Sequence, residues 1–333
     1  MYTPDSESNG SRQMPESVDL SVSLGPLRLA NPVLPASGTF GYGLEAMEWL
    51  DLRRLGAVVL KSTSLTPRPG HRGVRVAETP CGMLNAIGLE NPGVREALDL
   101  VERLPEGVVL VASLFGSTED EYVAVAEAFS RSPRVAALEL NLSCPNVAEG
   151  GLTFGRNPEG VARVTARVRA ATSLPLWVKL SPDTCDVVAA AKAAHAAGAD
   201  ALVLGNTMPG LALDRRTYTP VLANVTGGLS GPALKPIALR LVYEVYRHVP
   251  LPIVGVGGIS DAGDVLEFLA AGASAVQIGT AALRDPFVFE RILEELPAAL
   301  RAAGVDRAAS FVGIAHRGGL RAFAPSEGRG EVR

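Results

Sequence analysis

The sequence predicts an α/β protein, a single (β/α)8 barrel of the TIM type with long loops at the C-terminal face of its strands. Three observations carry this. Eight short, apolar, β-branched-rich runs are spaced along the chain, each is followed by a helical pattern, and no nucleotide-fold fingerprint interrupts the alternation. The runs lie at 32–37, 56–61, 107–114, 135–142, 174–181, 199–206, 251–257 and 273–279, bounded by Gly, Pro or Asn. Continuous apolar runs of this length suit strands buried on both faces, as in a parallel sheet. The helical patterns fall at 44–54, 92–104, 118–130, 158–172, 185–197, 233–248, 262–271 and 286–303. Several open on start signals, such as Asn91-Pro92 or Ser117-Thr118-Glu119-Asp120. A doubly wound sheet is the alternative, because a sequence does not display closure. Eight regular units favour the barrel. The nearest dinucleotide motif, Gly255-Val256-Gly257-Gly258, lacks the later glycine and comes too late in the chain.

Composition bounds the rest. The chain has 333 residues, 47% hydrophobic and 20% charged, which suits one well-filled globular domain. Its 31 Lys and Arg against 35 Asp and Glu give a net charge of −4 without a long basic run, so nucleic acid and anionic membranes are not expected partners. No apolar stretch approaches bilayer length and the first 17 residues lack the order of a signal peptide, so a cytoplasmic location is expected. Residues 1–17 read as a flexible N-terminal extension, 18–305 as the barrel, and 306–333 as a C-terminal segment, partly disordered. The three cysteines, Cys81, Cys144 and Cys185, form no CxxC pair, so neither a disulfide framework nor a metal site is expected.

In such a barrel, chemistry sits where strands end. Here the ends are polar: Ser37-Gly38-Thr39, Lys61-Ser62-Thr63, Ser113, Asn141 through Asn146, Lys179-Leu180-Ser181, Gly205-Asn206-Thr207, Gly257-Gly258 and Gly279-Thr280. Each unpaired buried polar group costs roughly 1–3 kcal/mol, so a ring of them implies a polar ligand. The glycine pairs ending strands seven and eight stand where such barrels frequently hold phosphate. Ser230-Gly231-Pro232 adds a helix start nearby. Lys61 and Lys179 close apolar runs, which aims an ammonium into the mouth. Asn85, Asn141, Asn146 and Asn206 can both donate and accept, matching a planar heterocycle with alternating N–H and C=O groups. Cys144 follows a polar strand end on the same face, unlike Cys81 and Cys185. None of His71, His195, His248 and His316 ends a strand, so histidine catalysis is not expected. Two connections, 62–91 and 207–232, are longer than a barrel needs and are read as functional.

The segments 35–43, 61–63, 81–89, 141–146, 178–182, 206–207, 227–232 and 279–280 together resemble the class 1 dihydroorotate dehydrogenases, over about residues 18–305. The resemblance implies a flavin mononucleotide (FMN) held by Ala36, Ser37, Lys61, Ser62, Ser113, Asn141, Lys179, Gly205, Gly231, Gly257, Gly258, Gly279 and Thr280. At Ser113 the family commonly has asparagine. Dihydroorotate or orotate would be held by Lys61, Asn85, Ala86, Ile87, Gly88, Leu89, Asn141, Asn146, Asn206 and Thr207, with Cys144 as the base. The wording of segments 35–43 and 81–89 is most like the NAD-linked class 1B catalytic subunit. That implies a homodimer within a heterotetramer, paired with a subunit carrying FAD and an iron–sulfur cluster. A fumarate-linked homodimer, another FMN-dependent dihydropyrimidine or dihydrouridine oxidoreductase, and a flavin-binding scaffold without activity are the alternatives.

Overall fold

A computed structural model describes residues 17–142, 154–184 and 186–320. The chain opens with an antiparallel hairpin, β1 (Val22–Leu24) and β2 (Leu27–Leu29). Its turn glycine, Gly25, at φ +61°, lies against Asp200, the residue preceding a barrel strand, so the hairpin seals the N-terminal end of the barrel. Leu24 and Leu29 are fully buried there.

The barrel strands follow the predicted order: β3 (Val33–Pro35) and β4 (Val58–Val59) come first. After an excursion through β5 (Val76–Thr79) and β6 (Gly82–Asn85) come β7 (Leu110–Leu114), β8 (Val135–Asn141), β9 (Leu176–Leu180) and β10 (Ala201–Leu204). A second excursion, β11 (Met208–Leu211) and β12 (Thr226–Ser230), precedes β13 (Ile253–Val256) and β14 (Ala275–Ile278). One eight-stranded sheet runs β3-β14-β13-β10-β9-β8-β7-β4, all pairs parallel. The amide of Gly56 donates to the carbonyl of Val33 at 3.0 Å, bringing the two edge strands together. The sheet is therefore a nearly closed barrel, and all eight predicted strands are in it.

Seven of the eight predicted helices are present, each within two residues of its predicted ends. Asp, Asn and Thr side chains cap four of them: Thr118, Asn157, Asp186 and Asp261 each accept an amide of the first turn. Segment 44–54 departs from expectation. It forms two 3-10 turns, Glu45–Glu48 and Leu52–Arg54, because Asp51 turns its carboxylate onto the Arg53 amide and starts a new cap in extended backbone. Helix faces and strands enclose a core whose largest fully buried side chains are Trp177, Tyr122, Phe115, Phe129, Phe268 and Phe289.

The two long connections are not structureless. They pair with each other into a four-stranded antiparallel sheet, β11-β12-β6-β5, above the C-terminal mouth of the barrel. Close approach explains its glycines: a Cβ on Gly227 would stand 2.7 Å from the Asn85 carbonyl oxygen, and one on Gly228 2.1 Å from the Thr207 hydroxyl. Leu84, Ala86 and Leu222 form a small separate core beneath it. After the last barrel helix, Val288–Ala302, residues Ala308–Phe311 and Ile314–Arg317 return to the body. His316 stacks on Tyr243 at 4.0 Å there. Among the described residues no helix is long and apolar enough to cross a membrane.

Candidate functional site

Between the strand ends and the antiparallel sheet lies a cavity of about 380 Å³. Its floor comes from the barrel: Ala36 through Thr39 after β3, Lys61 and Ser62 after β4, Asn141 at the end of β8 and Lys179 in β9. Its roof comes from the two long connections, through Met83, Asn85, Ile87, Gly88, Leu89, Asn206, Thr207, Ser230 and Gly231. One side is closed by Gly257 through Ser260 after β13 and by Gly279 and Thr280 after β14.

The floor is a continuous hydrogen-bonded layer. Ser62 Oγ lies 3.1 Å from Ser37 Oγ and 2.8 Å from Ser113 Oγ, and accepts from Asn141 Nδ2 at 2.8 Å. Ser113 in turn donates to the carboxylate of Glu139 at 3.3 Å, and Gln277 Nε2 donates to its other oxygen at 2.6 Å. Lys179 Nζ faces the same carboxylate at 3.7 Å. The alternation of strand side chains explains the arrangement: Glu139 and Asn141 share one face of β8, and Asn141 is in register with Lys179 of β9. Lys61 also reaches the cavity. Burial pushes its ammonium below the usual lysine value, with Glu90 opposing and Arg75 adding to the fall.

The glycine side is a cradle. Gly257 and Gly258 have φ +133° and +76°, and a Cβ on Gly258 would meet the Lys235 amide nitrogen at 2.7 Å. That turn is held from behind by Asp264, which accepts from the Ser260 amide at 2.8 Å, the Ser260 hydroxyl at 2.9 Å and Lys235 Nζ at 2.6 Å. Burial pushes the Asp264 carboxyl up, but hydrogen bonds from Lys235 and Ser260 outweigh it and hold the group below its ordinary value. Across the cradle, Thr280 donates to Ser230 Oγ at 2.8 Å and so ties the barrel to the roof. In the roof, Asn85 Nδ2 reaches the Gly228 carbonyl at 3.3 Å, and Asn206 Oδ1 accepts from the Thr207 amide at 2.7 Å.

Most of the residues singled out in the sequence meet at this cavity. Ala36, Ser37, Lys61, Ser62, Asn141, Lys179, Gly231, Gly257, Gly258, Gly279 and Thr280 line it, as do Asn85, Ile87, Gly88, Leu89, Asn206 and Thr207. Three stand behind the lining: Ser113, fully buried beneath Ser62; Ala86, in the small core under the roof; and Gly205, packed on the Val256 carbonyl. Cys144 and Asn146, and likewise Cys185, lie outside the described residues. Sequence reasoning missed Glu139 and Gln277, whose signal was a charged and an amide side chain inside otherwise apolar strands, and Arg284, which lines the cavity from the end of the short helix Thr280–Arg284 after β14. Among the described residues no His, Cys, Asp and Glu cluster could hold a metal ion.

A family profile described as dihydroorotate dehydrogenase matches residues 19–300. The chain is similar to the dihydroorotate dehydrogenase B (NAD(+)) catalytic subunit of Geobacillus sp. (strain WCH70), 51% identical over 306 residues, covering 91% of this chain and 97% of the relative. The protein of the same name from Halalkalibacterium halodurans is 50% identical over 296 residues, covering 88% and 97%. Among solved structures, DHODH of Eimeria tenella in complex with ferulenol superposes with a TM-score of 0.77 over 92% of each chain at 23% identity, a likeness of fold.

Proposed function

The chain belongs to the dihydroorotate dehydrogenase family, in its NAD-linked class 1B, and from that premise we propose that its cavity binds FMN and oxidises (S)-dihydroorotate to orotate in pyrimidine (UMP) biosynthesis. It is an oxidoreductase of a flavin-dependent family. The observation that carries the reading is the pairing of a glycine cradle with a polar floor in one cavity. A phosphate needs backbone amides it can approach closely, and Gly257, Gly258 and Gly279 offer backbone that carries no side chain, with the Thr280 hydroxyl beside them. A planar ring with alternating donors and acceptors needs both kinds of partner, and Ser62, Asn141, Lys61 and Lys179 offer them on the adjoining floor. The residues therefore fit FMN, which supplies the hydride acceptor when bound.

The chain's own residues do the rest. Asn85, Asn206 and Thr207 offer amide and hydroxyl partners for the substrate's ring edge, and Lys61, partly desolvated, offers a cation for its carboxylate. The roof encloses the reacting centre against water. Removing the proton at C5, next to a carbonyl, needs a base, and Cys144 as thiolate is proposed for it. The relatives' name, catalytic subunit, implies a partner subunit. We assign that partner an FAD and an iron–sulfur cluster, in a heterotetramer of two barrels and two partners. Cys144→Ser should retain FMN while flavin reduction by dihydroorotate slows at least a hundredfold near neutral pH, as followed by stopped flow; an unaltered rate removes Cys144 from the mechanism. Assays with and without the partner, against NAD and fumarate, test the rest. NAD reduction only with the partner is expected, and fumarate reduction without NAD activity contradicts it.

A further inference from the structure

Glu139 is fully buried in β8 and does not line the cavity, yet three groups converge on its carboxylate: Gln277 at 2.6 Å, Ser113 at 3.3 Å and the Lys179 ammonium at 3.7 Å. Lys179 does line the cavity, with only 5% of its side chain exposed. A carboxylate with no exposure is expensive to bury, and a barrel interior has apolar side chains of similar volume to use instead. Retaining the charge here costs stability, and service to the site above it accounts for the pair being kept. Charges this close and sealed from water act on one another, and on any ligand resting on Lys179, far more strongly than surface charges do.

Resting on the FMN reading, we propose that Glu139 is a positioning residue that acts through Lys179: it holds the ammonium against the cavity floor and offsets part of its charge, and so sets the reduction potential of the flavin bound there. Ser113 belongs to the same device. A serine is too short to reach the cavity past Ser62, but it can bridge Ser62 to Glu139, which links the floor hydroxyls to the buried charge. Gln277 fixes the other carboxylate oxygen from across the barrel, in β14. Glu139 thus has one orientation, with Oε1, which also accepts from Ser113, turned toward Lys179.

Three variants decide it: Glu139→Gln, Lys179→Met and the double. An uncompensated cation in the cavity floor would favour the electron-rich reduced form of a bound flavin, so Glu139→Gln should raise the midpoint potential measured by spectroelectrochemical titration. Lys179→Met should lower it, and the double variant should fall between them. The apoproteins supply a readout free of flavin. Breaking a buried pair from one side leaves an uncompensated charge, so each single variant should melt roughly 5–10 °C below wild type and the double should melt above both. Shifts of the same sign, no shift in potential, or losses of stability that simply add would overturn the proposal. If Glu139→Gln does not fold, a double variant that folds and takes up FMN supports it, and one that also fails overturns it. Titrating wild-type apoprotein with FMN separates the two readings: no uptake there sinks the FMN assignment itself, and this proposal with it.

Discussion

The floor of the cavity is made of side chains leaving parallel barrel strands, whereas its roof is an antiparallel sheet assembled from two loops distant in sequence. The floor groups are pinned by one another, from half-buried Ser37 through the buried Ser62 and Ser113 to Glu139 and Lys179. The roof strands are half exposed, with β5 alternating exposed and partly buried residues and a core of only three buried side chains beneath. A floor of this kind suits a resident group held throughout turnover. A thinner roof suits something that must enter and leave, since segments with few buried contacts open at lower cost. The difference agrees with the proposed function, which puts cofactor on the floor and substrate under the roof, and each substitution that follows is aimed at one of them.

The largest effect should come from the cradle beside the floor. Gly258→Val places a branched side chain at φ +76° and against the Lys235 backbone, so FMN retained after purification should fall to a small fraction of wild type. Full flavin content in that variant would mean the phosphate lies elsewhere. Next come the roof amides. Asn85→Ala and Asn206→Ala should each weaken orotate binding roughly 10- to 100-fold, the equivalent of about 1–3 kcal/mol for a buried hydrogen-bonding group, while FMN content stays near wild type. Orotate titration followed by flavin absorbance measures both quantities. Loss of flavin with unchanged orotate affinity would exchange the roles of floor and roof.

How far the sequence anticipated this follows the same division. The floor was legible because strand ends are local: an apolar run that stops on Lys61, Asn141 or Lys179 announces both the strand and the polar group it delivers. The roof was legible only as two overlong loops around Gly82 and Gly228, since pairing β6 with β12 depends on a contact between distant segments that no local periodicity encodes. The half-exposed alternation of β5 and β11 is too short to distinguish from loop. Segment 44–54 misled for a related reason: its composition suits a helix, but the Asp51 cap divides it. Glu139 was overlooked because one charge within an apolar strand reads as an interruption until Ser113, Lys179 and Gln277 are brought around it.

A smaller effect concerns Lys61, where floor meets roof. Its folded value is held below the ordinary 10.5 first by burial, so between the two values the unfolded chain binds more protons than the folded one. Stability of the apoprotein should therefore rise as pH climbs through that window toward 10.5. Lys61→Met should lack this rise and be more stable than wild type near neutral pH, which urea unfolding across pH would show. An equal pH slope in both proteins would contradict the burial of that ammonium. Smallest of all should be Arg75→Gln at the outer edge of the roof. The Arg75–Glu90 pair is short at 2.6 Å but its side chains are 31% and 49% exposed, so its loss should cost less than about 1 kcal/mol by chemical denaturation.

The division of labour between floor and roof stands or falls on whether a flavin in this cavity accepts electrons from the substrate assigned to it. Purified protein reconstituted with FMN and mixed anaerobically with (S)-dihydroorotate, without partner or NAD, tests this directly through the visible flavin absorbance. The account predicts bleaching within a turnover, with one orotate formed per flavin reduced. Retained yellow colour at saturating dihydroorotate, in a protein that holds FMN at one per chain, would contradict it.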